Sequence, residues 1–269
     1  MIEYKDDFIQ INGVKLHYYQ AGSGDQTLIL LHGATDNGMC WKPTADILAE
    51  EYTVIMPDAK GHGLSDRLGP EFKFSDHAHH VAGLIKELGI NNPVLMGHSM
   101  GGTAATNTAA LYPDLIKAII LEDPGWMTPG APQPNRGEGA VDMRTRTNQF
   151  QTMTVEELIE QCHKESPLWS HEELVPWAES KKQFDTSLFS SFNINELPWT
   201  EMVPKIQCPA LLLTAENGIV SDNAVTQAIA IWTADKPLAH KKIMGVGHNI
   251  RRENFQEFID TVQQFLKGL

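Results

Sequence analysis

Val94-Leu95-Met96-Gly97-His98-Ser99-Met100-Gly101-Gly102 is the stretch on which the fold turns. An apolar run ends in a Gly-x-Ser-x-Gly sequence, and the helix that follows opens with small residues, among them Ala104, Ala105, Ala109 and Ala110. A serine hydroxyl is a poor nucleophile at neutral pH, so a reactive serine must stand exposed on a tight strand-to-helix bend within reach of a base. Gly97 and Gly101 supply room for such a bend, and Ala104 and Ala105 let the helix lie close to a sheet.

On either side of this bend, short β-rich runs alternate with helical segments, the pattern of a parallel sheet covered by helices on both faces, which makes the class α/β. Strands are predicted at 8–11 and 14–19, joined at Asn12-Gly13, a dipeptide favoured in two-residue hairpins. Continuous apolar runs at 27–32, 53–57, 93–97 and 117–122 suit strands buried on both faces. Helices are predicted at 42–51, 75–88 and 99–111. From Gly125 to Cys208 the alternation stops, first in a stretch containing Pro129, Gly130, Pro132, Pro134, Gly137 and Gly139, then in polar helical segments. This reads as an inserted helical cap over 125–208, with 1–124 and 209–269 forming the core domain. Two helix starts in the cap, Thr154 with Glu157 and Ser170 with Glu173, have capping-box spacing. The alternation resumes at 209–214, with a helix near 223–233 and a strand around 240–244. The last helix, about 253–266, places Phe255, Phe258, Ile259, Val262, Phe265 and Leu266 on one face, for packing against the sheet.

Length and charge narrow the function. At roughly 150 residues per domain, 269 residues predict one large domain or one carrying an insertion. With 42% hydrophobic and 20% charged residues the chain belongs to the globular class. No apolar run approaches the roughly 18 residues needed to cross a bilayer, and Glu3, Asp6 and Asp7 stand where a secretory signal would be basic. A cytoplasmic protein is expected. The net charge of -13, without a basic block, argues against nucleic-acid partners. Cys40, Cys162 and Cys208 lack metal or redox spacing and read as buried thiols. His77 and His80 share a helix face without a further ligand, so with His79 they read as a solvated face rather than a metal site.

Four motifs in order make the chain resemble the α/β-hydrolase superfamily over nearly its whole length outside the cap. His32-Gly33 ends a buried run; Asp58-Ala59-Lys60-Gly61-His62-Gly63-Leu64-Ser65 looks like the family's DxxGxGxS turn; the Ser99 bend follows; and Gly245-Val246-Gly247-His248 stands between the last strand and the last helix. The resemblance implies a mostly parallel sheet of about eight strands. It also implies Ser99 as nucleophile, His248 as general base, and the backbone N–H groups of Ala34 and Met100 as oxyanion donors. His32 and His98 read as packing or hydrogen-bonding residues. The orienting acid departs from the commonest family pattern, because Ala215-Glu216-Asn217-Gly218-Ile219-Val220 holds no Asp where one is expected. A second family arrangement puts the acid after the preceding strand, here Leu121-Glu122-Asp123-Pro124, so Asp123 is preferred, with Glu216 the alternative and Asp222 more distant.

These residues imply a serine hydrolase acting on a carboxylic ester or lactone, with neither cofactor nor metal and a small molecule as partner. A serine-dependent C–C hydrolase or a cofactor-free perhydrolase would use the same groups, and a non-catalytic small-molecule receptor is the reading of another class. The cap aromatics Phe150, Trp169, Trp177, Phe184, Phe189, Phe192 and Trp199 suit an apolar substrate group or a small cap core. Gly33, His98 and Trp126 are candidate pocket residues. Arg136, Arg144 and Arg146 are each placed to meet a carboxylate or to sit on a solvated face. Oligomeric state, monomer or homodimer, is not written in the sequence.

Overall fold

Asn12 and Gly13 both take left-handed backbone, at φ 51° and 79°, the geometry of a hairpin turn matched to strand twist. They join β1 (Tyr4–Ile11) to β2 (Val14–Ala21) in an antiparallel pair at one edge of the sheet. The computed structural model describes residues 2–126, 143–191, 196–235 and 238–269. Along the chain follow β3 (Thr27–Leu31), α1 (Lys42–Leu48), β4 (Thr53–Pro57), α2 (Asp76–Glu87), β5 (Val94–His98), α3 (Met100–Leu111) and β6 (Ala118–Glu122). Helices α4 (Met143–Thr152), α5 (Val155–Glu165), α6 (His171–Gln183), α7 (Leu188–Ser191) and α8 (Trp199–Met202) come next. The chain then returns through β7 (Ala210–Asn217), α9 (Asp222–Ile231), β8 (Leu238–Gly247), α10 (Ile250–Glu253) and α11 (Phe255–Leu266).

The eight described strands form one sheet in the order β1-β2-β4-β3-β5-β6-β7-β8, parallel from β4 to β8. Strand order reverses between β3 and β5, so their carboxyl ends open a crevice at the switch point of the sheet, where α/β folds place ligands. Alternate residues face opposite cores. Ile29, Leu31, Leu95, Ile119 and Leu121 pack with α2 and α3, whereas Leu28, Leu30, Val94, Met96 and Ile120 pack with Phe258, Ile259, Val262 and Leu266 of α11. The apolar stripe of the last helix therefore covers the sheet. The helices between β6 and β7 have a small core of their own around Phe150, Leu158, Trp169 and Trp177. No helix among the described residues is long and apolar enough to cross a membrane.

Several expectations need correction. Thr154 and Glu157 close a reciprocal capping box on α5, but Ser170 makes no side-chain cap on α6. His77 and His80 do not face solvent. Both are buried on the inner face of α2 with Val81 and Leu84, and the rings of Phe72 and Phe74 meet His77 edge-on. The proline- and glycine-rich stretch, Arg136 and Phe192 lie outside the described residues.

Burial lowers the pKa of His77 to about 3, helped by His80 and His32, and that of His80 to about 4. Above the unfolded value of about 6.5 both rings are neutral in either state. As pH falls below it the unfolded chain takes up protons the folded chain refuses, each costing about 1.4 kcal/mol per pH unit. The urea midpoint is therefore expected to fall steeply between pH 6.5 and pH 4, and His77→Phe to flatten that fall. An unchanged slope in the variant would show that other groups drive acid unfolding.

Candidate active site

Ser99 sits between β5 and α3 with φ 52° and ψ -113°, a backbone conformation that costs a non-glycine residue of order 1–3 kcal/mol. The surroundings hold it there. Its N–H donates to the Glu122 carbonyl at 3.0 Å, and its own carbonyl accepts from Thr103 and Gly125, each at 3.0 Å. A side chain at position 97 would meet the Gly101 carbonyl oxygen at 2.2 Å, and one at 101 the Leu31 carbonyl oxygen at 2.1 Å, so this bend closes only with glycine at both places. The result lifts a half-buried serine to the mouth of the β3/β5 crevice.

His248 follows β8, and its Nδ1 lies 2.7 Å from Asp123 Oδ2. A carboxylate there fixes the tautomer, because Nδ1–H must donate and Nε2 is left with a free lone pair. Asp123, at the end of β6 with φ 38°, is fully buried. It accepts further hydrogen bonds from the backbone of Ile219 at 2.8 Å and Val220 at 3.1 Å. Gly218 makes this possible: a Cβ there would fall 2.5 Å from Asp123 Oδ2 and 2.7 Å from Oδ1. The glycine thus stands where the commoner pattern has its acid, and its missing side chain is the space that the Asp123 carboxylate fills. Glu216 is exposed and accepts from the Gly245 amide at 2.9 Å, and Asp222 pairs with Lys242 at 2.8 Å. Neither alternative acid is partnered with His248.

Ser99, His248, His98 and Ala34 line one cavity of about 310 Å³. Among the described residues no hydrogen bond joins Ser99 to His248; contacts of this kind often tighten only when a ligand is bound. The Met100 amide is the first of α3, so it lacks an intrahelical acceptor and lies at the positive end of the helix dipole. Gly33 brings the β3 turn close: a Cβ on it would be 2.7 Å from His98 Nδ1 and 3.6 Å from Ser99 Cβ. His98 Nε2 donates to the His248 carbonyl at 3.0 Å, and the two rings lie 4.6 Å apart. Burial, and secondarily His248, keeps the His98 pKa well below its ordinary value, so the ring is a neutral prop. His32 Nδ1 bonds the Gly33 carbonyl at 2.8 Å and its Nε2 accepts from Ala59 at 3.0 Å, tying down the same turn.

The cavity is not the apolar pocket that the aromatic content suggests. Phe150, Trp169 and Trp177 line it together with Asp36, Arg146, Glu165, Lys181 and Arg252. Arg146 pairs with Glu165, lies over the Phe150 ring at 5.3 Å and is half exposed. Lys181 and Arg252 are buried and committed to Asp36 at 2.9 and 3.0 Å. Burial alone would raise the Asp36 pKa, but Arg252, Lys181 and Arg251 outweigh it and hold the carboxyl well below the ordinary range. Arg251 also pairs with buried Glu122 at 2.9 Å, the residue before Asp123. Trp126 lies away from the cavity wall; its ring stacks on Trp199 at 5.2 Å and its N–H donates to Thr106 at 3.1 Å. Sequence reading missed this charged cluster. The one local signal was Arg251-Arg252 directly after His248-Asn249-Ile250.

A family model described as alpha/beta hydrolase fold matches residues 26–253. The 2-(acetamidomethylene)succinate hydrolase of Mesorhizobium japonicum is 34% identical over 115 residues, which are 43% of this chain and 41% of that protein. The chain is thus matched to less than half of that relative's length. The N-formylmaleamate deformylase of Pseudomonas putida is 25% identical over 263 residues, covering 96% of this chain and 95% of that protein. The crystal structure of an E-2-(acetamidomethylene)succinate hydrolase superposes with a TM-score of 0.81 at 21% identity, covering 98% of this chain and all of that one.

Proposed function

The chain belongs to the alpha/beta hydrolase fold family, and from that premise we propose a serine hydrolase that cleaves the acyl bond of a small carboxylate-bearing amide or ester. The observation that carries the proposal is the pairing of His248 with a buried carboxylate, with His248 and a strained, half-buried Ser99 lining one cavity. In this reading Ser99 Oγ attacks the acyl carbon while His248 Nε2 takes its proton. Asp123 holds the imidazole in that tautomer and stabilises the imidazolium. The developing oxyanion is received by the amides of Ala34 and Met100. The leaving amine or alcohol takes the proton from Nε2, and a water molecule then releases the acid from Ser99 by the same steps in reverse. The chemistry balances without a cofactor.

Residues 125–208 act as a cap in this reading, since α4, α5 and α6 supply one wall of the cavity and the turns after β3, β5 and β8 supply the other. The substrate class rests on two supports. Among the described residues Arg146 is the half-exposed cation of that wall, and a substrate carboxylate would take the place of its Glu165 partner; two relatives are named for hydrolysis of a succinate derivative and deformylation of N-formylmaleamate. Those names also extend the ester or lactone expected from sequence to bonds between an acyl group and nitrogen.

The test is a panel of N-acyl and O-acyl substrates, each with a free carboxylate and as its methyl ester. Free carboxylates are expected to be turned over at least about tenfold more efficiently, as one charge-assisted hydrogen bond allows. Arg146→Met should erase that preference through KM. Equal turnover of free and masked forms removes the substrate class. Failure of a fluorophosphonate to label Ser99, with Ser99→Ala as control, removes the catalytic reading in favour of a receptor.

A further inference from the structure

Helix α6 reaches across the cavity to the turn that follows β3. Lys181 Nζ donates to the Thr35 carbonyl at 2.8 Å, to Asp36 Oδ1 at 2.9 Å and to Ser180 Oγ at 3.2 Å, so all its protons are used. The other Asp36 oxygen accepts from Arg252 at 3.0 Å, and Arg252 Nε returns to α6 through Glu173 at 2.9 Å. Every charged group in this circuit is buried. Thr35 stands at φ 66°, a conformation that β-branched residues avoid. The turn around it is closed by the Asp36 amide, which donates to the Gly33 carbonyl at 3.2 Å. Ala34 lies between those two residues, and all of Ala34, Thr35, Asp36 and Lys181 line the cavity.

We propose that Lys181 is a positioning residue: by gripping the Thr35 carbonyl and the Asp36 carboxylate from α6, it holds the strained turn so that the Ala34 amide points at the developing oxyanion. The inference rests on the serine-hydrolase reading. Buried ion pairs give back in desolvation much of what they gain in attraction, so net stability alone explains this circuit poorly. A donor preset at the position of the oxyanion, by contrast, accelerates reaction because nothing need reorganise when charge develops. In this arrangement the oxyanion donor is set by a helix distant in sequence, and α6 is coupled to the rate and not only to binding.

The experiment uses the full chain and an alkyl fluorophosphonate. Ser99 Oγ bonds to phosphorus, the P–F bond breaks, fluoride leaves and the hydroxyl proton passes to His248, with the phosphoryl oxygen facing the proposed oxyanion donors. The inactivation constant, the half-saturating probe concentration and the thermal midpoint are measured for each protein. Lys181→Met is expected to slow inactivation about 10–100-fold at nearly constant half-saturation, and Lys181→Arg to recover most of the rate. Lys182→Met is the control. The Lys182 ammonium binds the carbonyls of Gln151 and Met153, each at 2.6 Å, and not the turn, so its loss should lower the midpoint with little change in rate. A parent-like rate in Lys181→Met overturns the proposal, as does equal slowing in the Lys181 and Lys182 variants, which would mark general loosening. Should Lys181→Met not fold, Lys181→Gln must show the slowing, and a parent-like rate there overturns the proposal equally. A parent protein that is not labelled instead removes the serine-hydrolase reading beneath it.

Discussion

Asp123→Asn is expected to lower kcat by about 10⁴-fold, the scale on which a misplaced tautomer acts in a serine–histidine–aspartate system, while Glu216→Gln changes it little. The reason lies in which atom of the substituted group meets the ring. Asp123 Oδ2 lies 2.7 Å from His248 Nδ1, and both carboxylate oxygens also accept from backbone amides, of Ile219 and Val220. An asparagine has one acceptor oxygen for these three donors. With that oxygen at the Oδ1 site it keeps Val220 and turns its NH₂ toward the imidazole, so that Nδ1 accepts, the ring proton moves to Nε2 and the atom that must take the Ser99 proton is occupied; with it at the Oδ2 site the ring keeps its tautomer but loses the negative charge that stabilises the imidazolium. The variant should fold, because asparagine tolerates the left-handed backbone found at φ 38°. Glu216 accepts the Gly245 amide and is exposed, so its neutralisation leaves the imidazole undisturbed. Steady-state kcat and thermal midpoint for both variants decide the matter, and the reverse ranking would transfer the acid role to β7.

How much of this could be read from sequence depended on whether a feature is local. The hairpin at Asn12-Gly13, the bend at Gly97 to Gly101 and the stripe of α11 all follow from residues within a few positions of one another, and each is present. His77 and His80 were misplaced although the signal existed. They share the helical spacing of Val81 and Leu84, and counting them as polar hid a stripe that the fold buries. Trp126 shows the opposite error, since nearness in sequence to Asp123 says nothing about direction, and its ring turns toward Trp199. The charged wall of the cavity was out of reach. Asp36, the α6 pair Glu173 and Lys181, and Arg252 come from three separate segments that only the tertiary fold brings together, so the aromatics dominated the expectation of an apolar pocket.

Gly218→Asp is expected to cost nearly all activity in the parent protein and to restore it in part, by about 10–100-fold, when Asp123 is replaced by glycine. The two effects have one cause. A Cβ at 218 points at the Asp123 carboxylate from 2.5 Å, so a second carboxylate in the parent is both a steric clash and a like charge that must displace the first or be protonated. In Asp123→Gly the same volume is empty, and the glycine accepts the φ of 38° without strain. The carboxylate introduced by Gly218→Asp can then enter that volume. It can accept from the Val220 amide two residues on, as aspartates do in local turns, and present an oxygen to His248 Nδ1. Full recovery is not expected, because the donor pair of Ile219 and Val220 amides is shaped for a carboxylate arriving from β6. The kcat values of the parent, the two single variants and the double variant form a cycle whose coupling measures the exchange. A double variant no faster than Asp123→Gly would mean that the imidazole requires its acid from β6 itself. Recovery would mean that it requires only a carboxylate in one small buried volume, and that either strand can supply it.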